Sequence, residues 1–168
     1  ITGRLLYTGN VKYPSTWYSP GIMGWYSFVP FMECKHAVVS VSHRIDGMLD
    51  INGTSIDFSG GKGYIEKDWG KSFPESWIWL QSNHFSHPDA CIMLSIARIP
   101  WLGSFFVGFL GFLYYNGIFY PFSTYLNSEI TRLQRDEQKL FIEVRGKDHT
   151  LEVSAGISQS GLLRAPKS

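Results

Sequence analysis

Two Asn-Gly pairs, each set between runs of strand-forming residues, constrain this chain more than any other feature. Asn52-Gly53 separates Leu49-Asp50-Ile51 from Ile56-Asp57-Phe58, and Asn116-Gly117 separates an apolar stretch ending at Tyr115 from Ile118-Phe119-Tyr120-Pro121-Phe122. A two-residue hairpin turn needs positive φ at both central positions, which Asn and Gly tolerate, so each pair predicts a tight antiparallel turn. Other short runs repeat the strand signal. Leu5-Leu6-Tyr7 is ended by Gly9, Trp25-Tyr26-Ser27-Phe28-Val29 is cut by Pro30, residues 37–45 are β-branched and partly alternating, and residues 90–99 are stopped by Pro100. Between residues 13 and 24, Pro14, Pro20, Gly21 and Gly24 punctuate too often for a long element. Residues 129–140 fit either a charged helix or a hairpin turning at Arg135-Asp136-Glu137-Gln138, and the regular spacing of short strands favours the hairpin. The expectation is an all-β antiparallel fold of about nine or ten strands, a barrel or strongly curved sandwich, in one domain over residues 1–168.

Composition narrows the function classes. The net charge is +1, so no basic field argues for nucleic acid, and the 12 Phe, 9 Tyr and 6 Trp read as core or cavity lining rather than base-stacking platforms. The most apolar region is residues 101–115; even taken from residue 99 it is shorter than the ~20 apolar residues of a spanning helix and is broken by Pro100, Gly103, Gly108 and Gly111. Peripheral membrane contact by this run is compatible with an apolar ligand. Cys34 and Cys91 read as buried small hydrophobes rather than a disulfide or zinc pair. Asn52-Gly53-Thr54 matches a glycosylation sequon, treated as chance without a secretion signal. The chain starts at Ile1 rather than Met, so a piece of a longer protein is expected, located in the cytoplasm or at a membrane surface.

The residues that carry chemistry gather between Gly60 and Phe85. Tyr64, Glu66 and Asp68 alternate onto one face of a strand; Trp77, Trp79, Gln81 and Asn83 share a face of the next. Glu66 and Asp68 then stand about 7 Å apart. Inside an apolar cavity, desolvation and mutual repulsion raise carboxyl pKa values, and an acid kept neutral can protonate a weakly basic substrate. Tyr64, Trp77 and Trp79 can stabilise a developing cation through their π faces, and Gln81 and Asn83 can hold a polar head group. The plain alternative is Glu66 paired with Lys62 or Lys67 at a rim, and tryptophans that are only core. Gly61-Lys62-Gly63 is not a dinucleotide fingerprint, because Glu66 stands where the third glycine would be. Its glycines instead suit a strand that bends or crosses tightly. His84, His87 and Asp89 lie in a turn without the further ligands of a metal site, and His36, His43 and His149 read as scattered polar residues.

The run Gly63-Tyr64-Ile65-Glu66-Lys67-Asp68-Trp69-Gly70, with Phe73-Pro74 and Trp77-Ile78-Trp79-Leu80-Gln81-Ser82-Asn83, resembles the signature of the tocopherol cyclase family. Ser19-Pro20-Gly21-Ile22-Met23-Gly24-Trp25, Phe28-Val29-Pro30-Phe31-Met32-Glu33-Cys34, Ala97-Arg98-Ile99-Pro100 and Leu163-Arg164-Ala165-Pro166 extend the likeness over most of the chain, towards the bacterial tocopherol cyclase-like proteins. The resemblance implies a lipocalin-like, calycin-type β architecture related to the carotenoid hydratase and AttH-like proteins. It also implies an intramolecular lyase or isomerase that cyclises a prenylated quinol by protonating its alkene, without metal or cofactor. Carried onto this sequence, Glu66 and Asp68 become the catalytic residues, and Tyr64, Trp69, Trp77, Trp79, Gln81 and Asn83 the substrate-binding ones. Asp68 stands where plant members usually carry Asn, which puts the proton-donor role on Glu66. The partner is an apolar small molecule, a prenylated aromatic or isoprenoid. A non-catalytic carrier of such a ligand, or an isoprenoid hydratase, is the alternative.

Overall fold

The computed structural model describes residues 1–30, 32–101, 104–159 and 161. Phe31 and residues 163–166 of the motifs above lie outside them, as do residues 102 and 103 of the apolar run. The described residues form eleven strands: β1 (Thr2–Val11), β2 (Cys34–Ile51), β3 (Thr54–Asp57), β4 (Gly61–Gly70), β5 (Trp77–Ser82), β6 (Ala90–Trp101), β7 (Ser104–Tyr115), β8 (Ile118–Ser123), β9 (Glu129–Arg135), β10 (Lys139–Arg145) and β11 (Thr150–Gly156). The all-β antiparallel expectation holds, with a slightly larger strand count. Asn52-Gly53 and Asn116-Gly117 turn as expected, with φ of 54° and 83° at the first pair and 49° and 80° at the second. The ambiguous 129–140 segment is a hairpin. The Asp136 carboxylate accepts from the Gln138 and Lys139 N–H groups, at 2.7 Å each, and fixes the turn between β9 and β10.

One expected strand is not one. Gly24–Phe28 is a 3₁₀ turn, closed by Tyr26 N–H to the Met23 carbonyl and Val29 N–H to Tyr26. Gly24 takes a positive φ of 56°, and a Cβ there would fall 2.5 Å from the Tyr125 ring. The close approach of an aromatic ring, rather than a pairing strand, shapes this segment. Pro100 does not stop β6 either; the strand runs on to Trp101, opposite Ser104.

The strands form three sheets and, among the described residues, no closed barrel. β1 and β3 flank β2 in the first sheet, with β4 paired to the N-terminal half of β2; the second runs β5-β6-β7-β8; the third runs β11-β10-β9. The second sheet is the middle layer, and alternation along its strands supplies two cores. Ile92, Leu94 and Ile96 of β6 pack with Phe109, Phe122, Ile142, Val144 and Leu151 towards the third sheet. Cys91 and Met93, on the other face of β6, pack with Phe112, Tyr114, Val41 and Ile22 towards the first. A sheet covered on both faces must be apolar at consecutive positions. That requirement accounts for the consecutive apolar residues of β6 from Cys91 to Leu94 and of β7 from Phe109 to Tyr114, whereas Phe105 and Val107, nearer the start of β7, are exposed. No helix among the described residues is long and apolar enough to cross a membrane.

Candidate functional site

β4 and β5 do not pair with each other. Their facing comes from β2 and β6, to which each is hydrogen-bonded in a different sheet. In the layer between the first two sheets, Tyr64 of β4 and Cys91 and Met93 of β6 belong to the packed core. One step further along the same strand faces, the packing opens into a cavity of about 330 Å³. Glu66 and Asp68 of β4, Cys34 and His36 of β2, and Trp77 and Trp79 of β5 line it. Opposite the acids stand small side chains, Ser95 and Ala97 of β6 and Gly108 of β7. Tyr26 and Tyr125 come from the two 3₁₀ turns, and Met32, Phe73 and Pro74 from the connecting loops. The Tyr125 hydroxyl donates to the Ile22 carbonyl at 2.7 Å, tying the two turns together.

Glu66 is the most constrained group. Its side chain is only 15% exposed. Oε2 accepts from the Tyr64 hydroxyl at 2.6 Å, and Trp79 also hydrogen-bonds the carboxyl group. Burial pushes the Glu66 pKa above the ordinary carboxylate range, and the bonds from Tyr64 and Trp79 and the nearby His36 only partly oppose it. Burial foremost, with the Glu66 bond, also drives the Tyr64 hydroxyl pKa up, so Tyr64 remains a donor. Asp68 is about one-third exposed, and its Oδ1 accepts from His36 Nδ1 at 2.6 Å. His36 Nε2 is buried, makes no hydrogen bond, and lies 3.6 Å from Glu66 Oε2.

The remaining expected residues are distributed differently. Tyr64 reaches the acid through its hydroxyl while its ring belongs to the core. Trp69 points away from Glu66 and Asp68 by strand alternation, is 44% exposed, and carries the Lys67 ammonium 4.8 Å from its ring centre. Gln81 donates to the Cys91 sulfur at 3.9 Å, and Asn83 is buried beyond the end of β5; neither lines the cavity. Gly63 is needed for close approach, because a Cβ there would fall 2.0 Å from His43 Nε2. His43 is itself buried against Ser40 and Tyr7. His87 stacks on Tyr115, and His84 is exposed.

In the sequence His36 reads as a scattered histidine. The register His36↔Asp68 across β2 and β4 brings it to the acids, and strand alternation through Cys34 and His36 was the signal that could have placed it. His36, Glu66 and Asp68 are also the one group among the described residues with metal-ligating atoms close together, within 4.8 Å. The donor set fits an ion poorly. Asp68 is engaged by His36 Nδ1 and Glu66 by the Tyr64 hydroxyl, which leaves Nε2 as the one ligating group of the three without a hydrogen bond, fewer than the three protein ligands usual even in an open metal site.

The family model described as "Tocopherol cyclase-like" matches residues 9–168. Two plant proteins are 29% identical over 150 residues, covering 85% of this chain: the "Probable tocopherol cyclase, chloroplastic" of Oryza sativa subsp. japonica and the "Tocopherol cyclase, chloroplastic" of Zea mays. The match covers 31% of each plant protein, so the chain spans about a third of their length. No solved structure matches the chain at a significant level.

Proposed function

Because the chain belongs to the tocopherol cyclase-like family, we propose that its cavity performs acid-catalysed intramolecular cyclisation of a prenylated quinol or related isoprenoid, with Glu66 as the proton donor. The observation that carries this reading is Glu66 itself: a buried carboxyl with a raised pKa, on a cavity wall shared with Trp77 and Trp79. A neutral carboxylic acid delivers a proton to the alkene, and the charge moves to the tertiary carbon. The indole faces of Trp77 and Trp79 stabilise that cation before the phenol oxygen closes the ring. As the proton leaves, the Tyr64 and Trp79 donors stabilise the carboxylate, a charge present only after transfer. Asp68, on the same wall, holds the His36 ring beside the site of the forming cation. The tryptophans are 46% and 47% exposed, so the cavity is open on one side, where a prenyl tail can enter.

Glu66→Gln keeps the shape and removes the proton. With a prenylated quinol as substrate, the variant should lose about 10²–10⁴-fold in kcat. Undiminished cyclisation would take Glu66 out of the role. Tight retention of the quinol without conversion by the unmodified chain would favour a carrier instead, and oxygen-18 from water in the product would indicate hydration.

A further inference from the structure

The cyclisation reading leaves one proton unaccounted for. When the phenol oxygen bonds to the cation, its hydrogen must go to a base, and Glu66 must regain a proton before the next turnover. Asp68 is committed to His36 Nδ1 at 2.6 Å. The His36 side chain is nine-tenths buried, and its Nε2 is without a hydrogen bond, 3.6 Å from Glu66 Oε2. A buried, unsatisfied nitrogen is costly to maintain unless a ligand or a reaction uses it.

Resting on the cyclase reading, we propose that His36 is the base of the reaction: Nε2 takes the phenolic proton as the ring closes and returns it to Glu66, making Asp68, His36 and Glu66 one proton relay. Because the Asp68 carboxylate accepts the Nδ1 hydrogen, the neutral ring carries its lone pair on Nε2, on the Glu66 side. The steps balance. The Glu66 O–H bond breaks as a C–H bond forms from the alkene π pair. The phenol oxygen then donates a pair to the cation, its O–H bond breaks, and the proton moves to Nε2. The imidazolium, held by Asp68, finally passes that proton to the Glu66 carboxylate. No oxidant, reductant or water is consumed, as isomerisation requires. The other titratable groups on the cavity wall are Glu33, Cys34, Tyr26 and Tyr125. Burial raises the Cys34, Tyr26 and Tyr125 pKa values, which keeps these groups neutral, and Glu33 is engaged by the Ser72 hydroxyl.

The test combines kinetics with imidazole ¹⁵N spectroscopy. His36→Gln should lower kcat with a prenylated quinol by about 10²–10⁴-fold with KM within about twofold, and His36→Ala should regain part of its rate from added imidazole. A merely structural histidine would not give that rescue. In the substrate-free protein, neutral His36 should show the Nδ1–H tautomer, and should keep it in Glu66→Gln, because Asp68 rather than Glu66 fixes the ring. An active His36→Gln beside an inactive Glu66→Gln would overturn the relay while leaving the acid role standing. If the unmodified chain turns over no quinol, the cyclase reading falls first, and a neutral His36 found as the Nε2–H tautomer independently overturns the relay. Activity abolished by chelator and restored by zinc would also overturn the relay, making the three residues a metal site.

Discussion

The layer between the first two sheets has two halves built on the same strand faces. In one, Tyr64, Cys91, Met93 and Phe112 pack together, and Met93 and Phe112 are fully buried. In the other, the same faces of β4, β6 and β7 continue as Glu66 and Asp68, as Ser95 and Ala97, and as Gly108, and a cavity opens. No change of backbone architecture is needed. Large apolar side chains give way to small ones on the middle sheet, and acids appear on the first, so a core becomes a site within two residues along β4 and β6 and within four along β7. Tyr64 joins the halves, with its ring in the core and its hydroxyl on Glu66. The core thereby fixes the orientation of the acid.

That contrast can be broken from either side. The largest expected effect is in the packed half: Met93→Ala should cost roughly 2–5 kcal/mol of stability, measured by denaturant unfolding. Filling the open half should behave oppositely. Ala97→Leu should weaken binding of a prenylated quinol by about tenfold or more, equivalent to ~1.4 kcal/mol. Its stability should stay within about 1 kcal/mol of the parent, as measured by ligand titration and unfolding together.

The acid gives a third, smaller effect with a defined sign. The Glu66 pKa is higher in the folded chain than in the unfolded one, so the folded state binds the extra proton, and stability falls as pH rises through the window between the two values. Glu66→Gln should therefore raise the thermal midpoint at pH 7, and the gain should vanish below about pH 4, where the carboxyl is protonated in both states. Turnover should fall over the same rise in pH, as the neutral donor is lost. The smallest effect is expected at Trp69, on the opposite face of β4 and exposed. Trp69→Ala should change stability by no more than about 0.5 kcal/mol and leave cyclisation within twofold.

What the sequence disclosed divides along the same line between local and distant. The Asn-Gly hairpins were legible because the turn chemistry is contained in two residues. The sharing of a face by Glu66 and Asp68, and by Trp77 and Trp79, followed from alternation alone. Their facing one another did not, because β4 and β5 lie in different sheets and are brought together by β2 and β6. His36 stayed hidden because its partner is 32 residues away, in a register interrupted by a bulge between Val38 and Ser40. The 3₁₀ turn at Gly24–Phe28 was misread as a strand because Trp, Tyr, Phe and Val carry strand propensity, whereas the Tyr125 ring packed on Gly24 decides the backbone there. Gln81 follows the expected alternation but pairs with Met93, at the level of the packed core rather than of the cavity, and Asn83 lies beyond the end of β5.

The most direct test of alkene protonation is a single turnover experiment in deuterated water with a prenylated quinol. The account predicts a cyclised product carrying one solvent-derived deuterium on the carbon next to the new C–O carbon, formed by the unmodified chain and not by Glu66→Gln. A product without deuterium at that position, or equal labelling by Glu66→Gln, would contradict it.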